Sequence, residues 1–325
     1  MNKIKKIFVF IMAVVLCCGV MIGFCACDSD KNDKISIVCT IFPEYDWVRE
    51  VVGDNGDNFE ITLLMNNGTD LHNYQPTVAD ITKIATADIF IYVGGESDKW
   101  VDNALANAIN KDMIVINLIE VLGDRAKDEE LKEGMEGEEE EEDDEEGEDH
   151  EYDEHVWLSL KNAKVFVSEL AKTIAKIDES NKSVYQENAN NYIEALDDLD
   201  NEYAQAVNSG ATKTLLFGDR FPFRYLVDDY DLDYYAAFIG CSAETEASFE
   251  TITFLVGKVN DLGLKAIMKI ETSNGAIANQ IKESTNSKDQ QILTLDSLQS
   301  TTLNSQKTYL SIMQSNLEVL KEAVK

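Results

Sequence analysis

The sequence predicts an α/β fold with two parallel-sheet domains that are joined by one long helix. Short apolar, β-rich runs alternate with helical segments four times before residue 119 and four times after residue 212. Between the two sets, apolar residues recur at alternating steps of four and three over roughly 28 residues, which is about 40 Å of helix. This helix is long enough to connect two domains.

The chain begins with a segment that is typical of a lipoprotein signal peptide, predicted over residues 1–26. Three lysines within the first six residues precede an uncharged apolar stretch, residues 7–23, which is short for a membrane-spanning helix. Small residues then lead to Cys27. We expect lipidation of Cys27, anchorage to the lipid bilayer at the extracytoplasmic face, and a polar tether over residues 27–34. An ordinary secretory signal is the alternative.

The first α/β domain is predicted over residues 35–177. The apolar runs that predict its strands are Ile35–Phe42, Phe59–Met65, Asp88–Val93 and Met113–Leu118. Helices are expected at 45–52, at 76–87 with Pro76 in the first helical position, and from the Gly94-Gly95 turn to about residue 110. A further amphipathic helix covers residues 163–177.

An acidic loop over residues 127–154 interrupts this domain. Nineteen of the 61 acidic residues lie between Asp128 and Glu154, where Lys132 is the only Lys or Arg, so this stretch contributes −18 to the net charge of −33. Such a stretch has little apolar surface to bury and is expected to stay solvated. The charge disfavours nucleic acid as a partner and favours cations. An acidic spacer without a binding role is the plain alternative.

The second α/β domain is predicted over residues 209–325, after a linking helix at 178–208. Its strands are expected at Lys213–Phe217, Tyr234–Ile239, Lys265–Ile270 and Gln291–Leu295. Its helices are expected at 221–229, 245–262, 274–286 and 303–324.

Polar side chains follow several of these strands. In an open parallel sheet, ligands bind beyond the carboxyl ends of the strands. Imidazole with carboxylate suits zinc, manganese or iron better than calcium or magnesium. Singly, each residue has an ordinary explanation as a loop, packing or helix-capping residue. Their shared placement predicts a metal cleft between the domains, and the residues are His72, His155, Asp219, Cys241, Glu246, Glu271 and Asp296.

Three motifs resemble the zinc/manganese ABC-transporter solute-binding lipoproteins. Residues 68–77 (GTDLHNYQPT) and 153–158 (DEHVWL) are similar to the two histidine motifs of that family, and residues 292–298 (ILTLDSL) to its final aspartate motif. The resemblance covers nearly the whole mature chain. It implies a receptor that hands Zn²⁺, or alternatively Mn²⁺, to an ABC permease, and we expect a monomer that is not an enzyme. It also implies that the acidic loop, with His150, captures cations.

The motifs depart from the family pattern at the third ligand, which by this resemblance falls on Gly218. Glycine offers no ligating side chain, so Asp219 or water is expected to take its place. The predicted metal ligands are therefore His72, His155, Asp296 and Asp219. Arg220 is expected to pair with Glu244, Glu246 or Glu271 or to hold Asp219, and Glu271 is also a candidate supporting residue in the cleft.

Cys39 and Cys241 remain in the folded part, each at or near the carboxyl end of a strand. A disulfide between them, thiolate ligation of the metal and simple burial as small apolar groups are all open.

Two other functions compete with the receptor hypothesis. A metal-dependent hydrolase would need an open coordination position and a general base, for which Glu271 is available. However, the sequence contains no H-E-x-x-H motif and no nucleophile elbow. An acidic adhesion or cation-buffering surface lipoprotein would instead bind many ions weakly through the acidic loop.

Overall fold

The computed structural model describes residues 34–137, 151–242 and 246–325. Its strands are β1 (Ile35–Cys39), β2 (Phe59–Leu63), β3 (Ile89–Tyr92), β4 (Ile114–Asn117), β5 (Thr214–Phe221), β6 (Asp233–Ile239), β7 (Ala266–Ile270) and β8 (Gln291–Leu295). Its helices are α1 (Phe42–Val52), α2 (Val78–Thr86), α3 (Trp100–Ala106), α4 (Leu118–Leu122), α5 (Leu160–Ile177), α6 (Lys182–Ser209), α7 (Arg224–Asp229), α8 (Phe249–Leu262), α9 (Ala276–Ser284) and α10 (Tyr309–Ala323).

The strands form two four-stranded parallel sheets with equivalent topology. The first has the order β2-β1-β3-β4 and the second the order β6-β5-β7-β8. In each sheet the strand order reverses beside the first strand of the set, which opens a crevice at the carboxyl ends of the strands. The predicted fold class of two parallel α/β domains is confirmed.

Helix α6 spans 28 residues and connects the two halves of the fold. Its buried face carries Tyr185, Tyr192 and Tyr203, which belong to the large hydrophobic core. Tyr203 donates its hydroxyl hydrogen to the carbonyl oxygen of Met313 in α10 at 2.7 Å. Near its other end, Asn188 donates to the carbonyl oxygen of Val51 in α1 at 3.0 Å. These contacts tie the long helix to elements from both halves.

The helix start near Pro76 was predicted wrongly. Helix α2 begins at Val78 with Thr77 as its N-cap: the Thr77 hydroxyl accepts from Asp80 N–H at 3.2 Å, and the Asp80 carboxylate accepts from Thr77 N–H at 3.0 Å. This reciprocal pairing satisfies two donors that a helix start leaves open, which a proline at the first position does not do.

Backbone hydrogen bonds join the two ends of the acidic loop to each other. Asp153 N–H donates to the carbonyl oxygen of Lys127, and Glu129 N–H donates to that of Glu151, both at 2.8 Å. The chain from Lys127 to Glu136, called the arm of the acidic loop, then reaches the second sheet. There Glu136 N–H donates to the carbonyl oxygen of Ala237 in β6 at 2.9 Å. The residues on the N-terminal side of the acidic run therefore reach β6. Among the described residues, no helix has the length and apolar character needed to cross a membrane.

Candidate metal centre

Two histidines from different loops meet at the carboxyl ends of the strands. His72 lies in a single 3-10 turn, Leu71–Asn73, after β2, and Asp70 caps this turn by accepting from His72 N–H at 3.1 Å. His155 precedes a second 3-10 turn, Val156–Leu158, and its side chain is fully buried. The Nε2 atoms of the two imidazoles lie 3.1 Å apart.

The other ring nitrogen of each histidine faces a carboxylate. His155 Nδ1 lies 3.1 Å from Asp153 Oδ1, which also accepts from the His155 backbone N–H at 2.8 Å. His72 Nδ1 lies 2.7 Å from Ser97 Oγ and 3.3 Å from Glu154 Oε2. That buried Glu154 oxygen has no other hydrogen-bond partner. A carboxylate only accepts, so these partners assign the proton of each neutral imidazole to Nδ1.

The two Nε2 lone pairs consequently point at each other. Facing acceptors 3.1 Å apart repel unless a cation lies between them. Two nitrogens bound to one tetrahedral zinc ion at about 2.05 Å each stand roughly 3.3 Å apart. The observed separation therefore fits two ligands of one ion. Carboxylate support of the opposite ring nitrogen is the usual arrangement around metal-binding histidines.

The consecutive residues Asp153 and Glu154 each place a carboxylate beside one of the two imidazoles. Asp153 holds the neighbouring His155, whereas Glu154 reaches back to His72 and accepts from Ser97 N–H at 2.7 Å. Burial raises the pKa of Glu154, but the hydrogen bond and charge of His72 and the Ser97 donors lower it below the usual value. Gly95 leaves room for this carboxylate, since a Cβ there would stand 2.5 Å from Glu154 Oε1.

Residues from the second half of the fold complete the surroundings. Arg220 of β5 pairs with Asp70, and both line a cavity of about 500 Å³ that residues from both halves enclose. Gln299 is 4% exposed. With its amide nitrogen donating to both Asp70 carboxylate oxygens, at 2.7 and 3.1 Å, its oxygen accepts from His155 Nε2 at 3.3 Å when that nitrogen carries a proton. Burial raises the pKa of Asp70, but Arg220 and His72 bring it below the usual value.

Cys241 is the third ligand-type side chain beside the two histidines. One ligand atom from each of His72, His155 and Cys241 lies within 4.8 Å of the others, which is close enough for the three side chains to hold one metal ion. Gly240 permits the close approach, because a Cβ at that position would lie 3.0 Å from His155 Cε1. Burial, and then the charge of Glu129, raise the pKa of the Cys241 thiol well above its usual value. Cys39 and Cys241 are both free thiols, so the disulfide alternative is not realised.

Gly218 does not occupy a ligand position in the structure. A Cβ there would lie 2.5 Å from Ala278 Cα, so the residue faces α9 rather than the histidines. The register of β5 against β6 shifts between Phe217 and Arg220, which places Arg220 at the cavity. Arg220 contacts Asp70 instead of the predicted Glu246 or Glu271, because the bulge directs it across the cleft.

The two predicted aspartate ligands have other partners. Asp219 Oδ2 accepts from Ile270 N–H at 3.1 Å, and its Oδ1 accepts from Arg220 N–H at 3.0 Å. Asp296 Oδ1 accepts from Leu298 N–H at 2.9 Å, and its Oδ2 lies 3.3 Å from Lys307 Nζ. Neither belongs to the group formed by the histidines and Cys241.

Glu271 supports the loop that follows β8. Its carboxylate accepts from Ser297 N–H at 2.7 Å, from Ser297 Oγ at 2.9 Å and from Ser300 Oγ at 3.2 Å. This loop carries Gln299 to the site. Glu246 is exposed. The predicted roles of His150, Glu244 and Cys27 fall outside the described residues.

Sequence reasoning missed several residues that build the site. Asp70 and Glu154 stand inside the quoted histidine motifs, and their closeness to a histidine was an available signal. Ser97 and Gln299 carried no such signal, since each comes from a loop remote in sequence from the histidine it approaches.

Two α/β halves, a long connecting helix and paired histidines at the carboxyl ends of both sheets define a two-lobed solute-binding protein with a site built for a cation. The chain belongs to the ZnuA family, described as zinc-uptake complex component A, periplasmic, which matches residues 37–323.

Similar proteins support this assignment. The chain is 30% identical over 318 residues to the high-affinity zinc uptake system protein ZnuA of Bacillus subtilis (strain 168), covering 96% of both chains. It is 29% identical over 322 residues to the zinc-binding lipoprotein AdcA of Streptococcus pneumoniae (strain ATCC BAA-255 / R6), covering 98% of this chain and 61% of the relative. The crystal structure of the Zn(II)-bound ZnuA-like domain of Streptococcus pneumoniae AdcA superposes with a TM-score of 0.70 at 27% identity, covering 90% of this chain and 99% of that domain.

Proposed function

We propose that this protein is an extracytoplasmic receptor that binds Zn²⁺ through His72 and His155 and delivers it to an ABC import permease. The observation that carries the proposal is the 3.1 Å separation of two Nε2 atoms whose opposite ring nitrogens face carboxylates. This geometry suits a divalent transition metal that takes nitrogen ligands. Zinc is the first choice and manganese the second.

The names of the relatives support zinc as the cargo. ZnuA of Bacillus subtilis is a zinc uptake system protein, and AdcA of Streptococcus pneumoniae is a zinc-binding lipoprotein. The chain spans about three fifths of the length of AdcA, so AdcA's whole activity is not carried over. Attachment to the lipid bilayer through Cys27 would keep the receptor beside a membrane permease.

Ligation by Asp219 and Asp296 remains a prediction. Each carboxylate would have to exchange its present hydrogen bonds for the metal. His72 and His155 are the two ligands that the proposal requires.

The test is competitive zinc titration of the full chain against a chromophoric chelator, beside a His72→Ala/His155→Ala double variant. The matched control is His150→Ala, which removes the third histidine of the chain. We expect one tightly bound zinc per chain in the wild type and in the control, and its loss in the double variant. Competition with Mn²⁺ then ranks the two metals.

Several weakly held ions that survive the double substitution would overturn the proposal and favour the acidic cation-buffering surface protein. Against the hydrolase alternative, both carboxylate oxygens of Glu271, its candidate general base, already accept hydrogen bonds from serines.

A further inference from the structure

Cys241 lies where the third ligand of a metal held by the two histidines would be needed. We propose that the Cys241 thiolate coordinates the same ion as His72 and His155, so that the site presents two imidazoles and one sulfur. This inference rests on the proposed function, since it concerns the donor set of that same site. Its first support is that the three ligand atoms already lie within 4.8 Å of one another.

The backbone around Cys241 is built against the histidine site. Gly240 brings the end of β6 onto the imidazole: a Cβ there would lie 3.0 Å from His155 Cε1 and 2.9 Å from the carbonyl oxygen of Phe221. Cys241 N–H donates to Glu129 Oε1 at 3.4 Å, which anchors the residue to the arm of the acidic loop. Sulfur and nitrogen bound to one tetrahedral zinc stand about 3.5 Å apart, so atoms that lie within 4.8 Å of one another need to approach by at most about 1.3 Å.

The neighbouring strand leaves this place open for Cys241. The β5 residues that line the cavity are Asp219 and Arg220. The Arg220 guanidinium is a donor that cannot ligate a cation, and both carboxylate oxygens of Asp219 already accept backbone hydrogen bonds, from Arg220 N–H and Ile270 N–H. Asp70, whose Oδ1 lies 3.9 Å from His72 Nε2, is paired with that arginine. Cys39, the other free thiol, is the last residue of β1, is fully buried, and belongs to no such group among the described residues.

The chemistry of the binding step balances without any redox partner. The S–H bond of Cys241 breaks, its proton passes to solvent, and the sulfur lone pair forms the metal–sulfur bond. Coordination by a divalent ion removes the proton of a thiol outright. A thiolate favours zinc over manganese, which prefers oxygen ligands. Cys241 would therefore determine the metal selectivity of the receptor as well as contribute to affinity.

The test is zinc X-ray absorption spectroscopy of the full chain loaded with one equivalent of zinc, compared with Cys241→Ser and with Cys39→Ser as the matched control. We expect one sulfur neighbour at about 2.3 Å besides nitrogen or oxygen at about 2.0–2.1 Å in the wild type. The sulfur shell should persist in Cys39→Ser and vanish in Cys241→Ser. The variants and the wild type share the four cysteines of the first 27 residues, so the difference isolates one thiol.

Competition titrations give a second readout. Zinc affinity should fall at least about tenfold in Cys241→Ser, and manganese affinity should change less, so that the ratio between the two metals narrows. A wild-type protein that binds one zinc with no sulfur neighbour, or a sulfur shell that survives in Cys241→Ser, would overturn the assignment of Cys241 while leaving the receptor proposal intact. Failure of the wild type to bind zinc would overturn both.

Discussion

Arg220 of β5 forms an ion pair with Asp70, 150 residues earlier in the chain, and so joins the two halves of the fold beside the histidines. Both side chains are largely buried, which makes their pairing obligatory, because removing one partner leaves an uncompensated charge. The pair also keeps a carboxylate and a fixed cation close to the metal site without either being a ligand.

Replacing Arg220 alone should destabilise the metal-free protein. In Arg220→Met the buried Asp70 carboxylate loses its partner, and we expect a loss of about 3–5 kcal/mol in the free energy of unfolding, measured by urea denaturation. The double variant Asp70→Asn/Arg220→Met should recover most of this loss. Equal stability of the single and double variants would show that the pair is not coupled.

The carboxylates behind the histidines should control metal affinity. Asp153→Asn and Glu154→Gln keep size but remove the negative charge that orients each Nδ1–H, so we expect zinc affinity to fall about 10–100-fold in each. The readout is competitive chelator titration. The control is Glu187→Gln, which removes an exposed carboxylate of α6. An affinity within twofold of wild type in Asp153→Asn would contradict the proposed support.

Gly240 should be needed for the shape of the site. Gly240→Ala places a methyl group 3.0 Å from His155 Cε1, so either the imidazole or the end of β6 must move. We expect weaker zinc binding in the same titration. Gly257→Ala is the matched control: it adds the same methyl group in α8, where nothing lies within 4 Å. That control should retain affinity and gain about 0.5–1 kcal/mol of stability.

The pH dependence of stability should report on Glu44, which is fully buried at the start of α1. Burial raises its pKa to about 8, although backbone donors of Ile41 and Thr40 oppose the shift. Because the folded-state pKa is raised, its stabilising contribution is present below about pH 4.5 and is lost as pH rises towards 8.

Thermal unfolding of the metal-free protein measures this effect. Between about pH 5 and pH 8.5 the wild type should lose on the order of a few kcal/mol relative to Glu44→Gln, whose side chain does not titrate. Glu187→Gln, at an exposed position of α6, should follow the wild type. Parallel curves for the wild type and Glu44→Gln would contradict the shift.

The acidic run should accelerate capture without forming the site. Deleting residues 138–149 removes eleven carboxylates and leaves the paired base of the loop, including Glu136, in place. We expect slower zinc association at low ionic strength, with the difference shrinking as salt is added. Equilibrium affinity for one zinc should remain. If the deletion abolished tight binding, the run itself would be the site.

Much of the fold was predictable from local patterns. All eight strands were expected at the observed places, because both faces of a parallel strand are buried and its sequence is a short apolar run. His72 and His155 were singled out because they follow such strands within recognisable motifs, and the structure brings their side chains together. Local capping was less visible: Thr77, rather than Pro76, determines where α2 begins.

The remaining features depended on tertiary structure. The direction of the Arg220 side chain follows from a register shift in β5. The close packing of α9 explains why position 218 holds a glycine, since α9 leaves no room for a Cβ there. The sequence by itself determined the order of the elements, the connecting helix and the two imidazoles, since these depend on spacing and burial of neighbouring residues. Only the folded chain decided that Gln299 reaches those imidazoles and that Cys241 lies beside them as a free thiol, because these contacts join loops far apart in sequence, and the orientation of a loop side chain is governed by what packs against it.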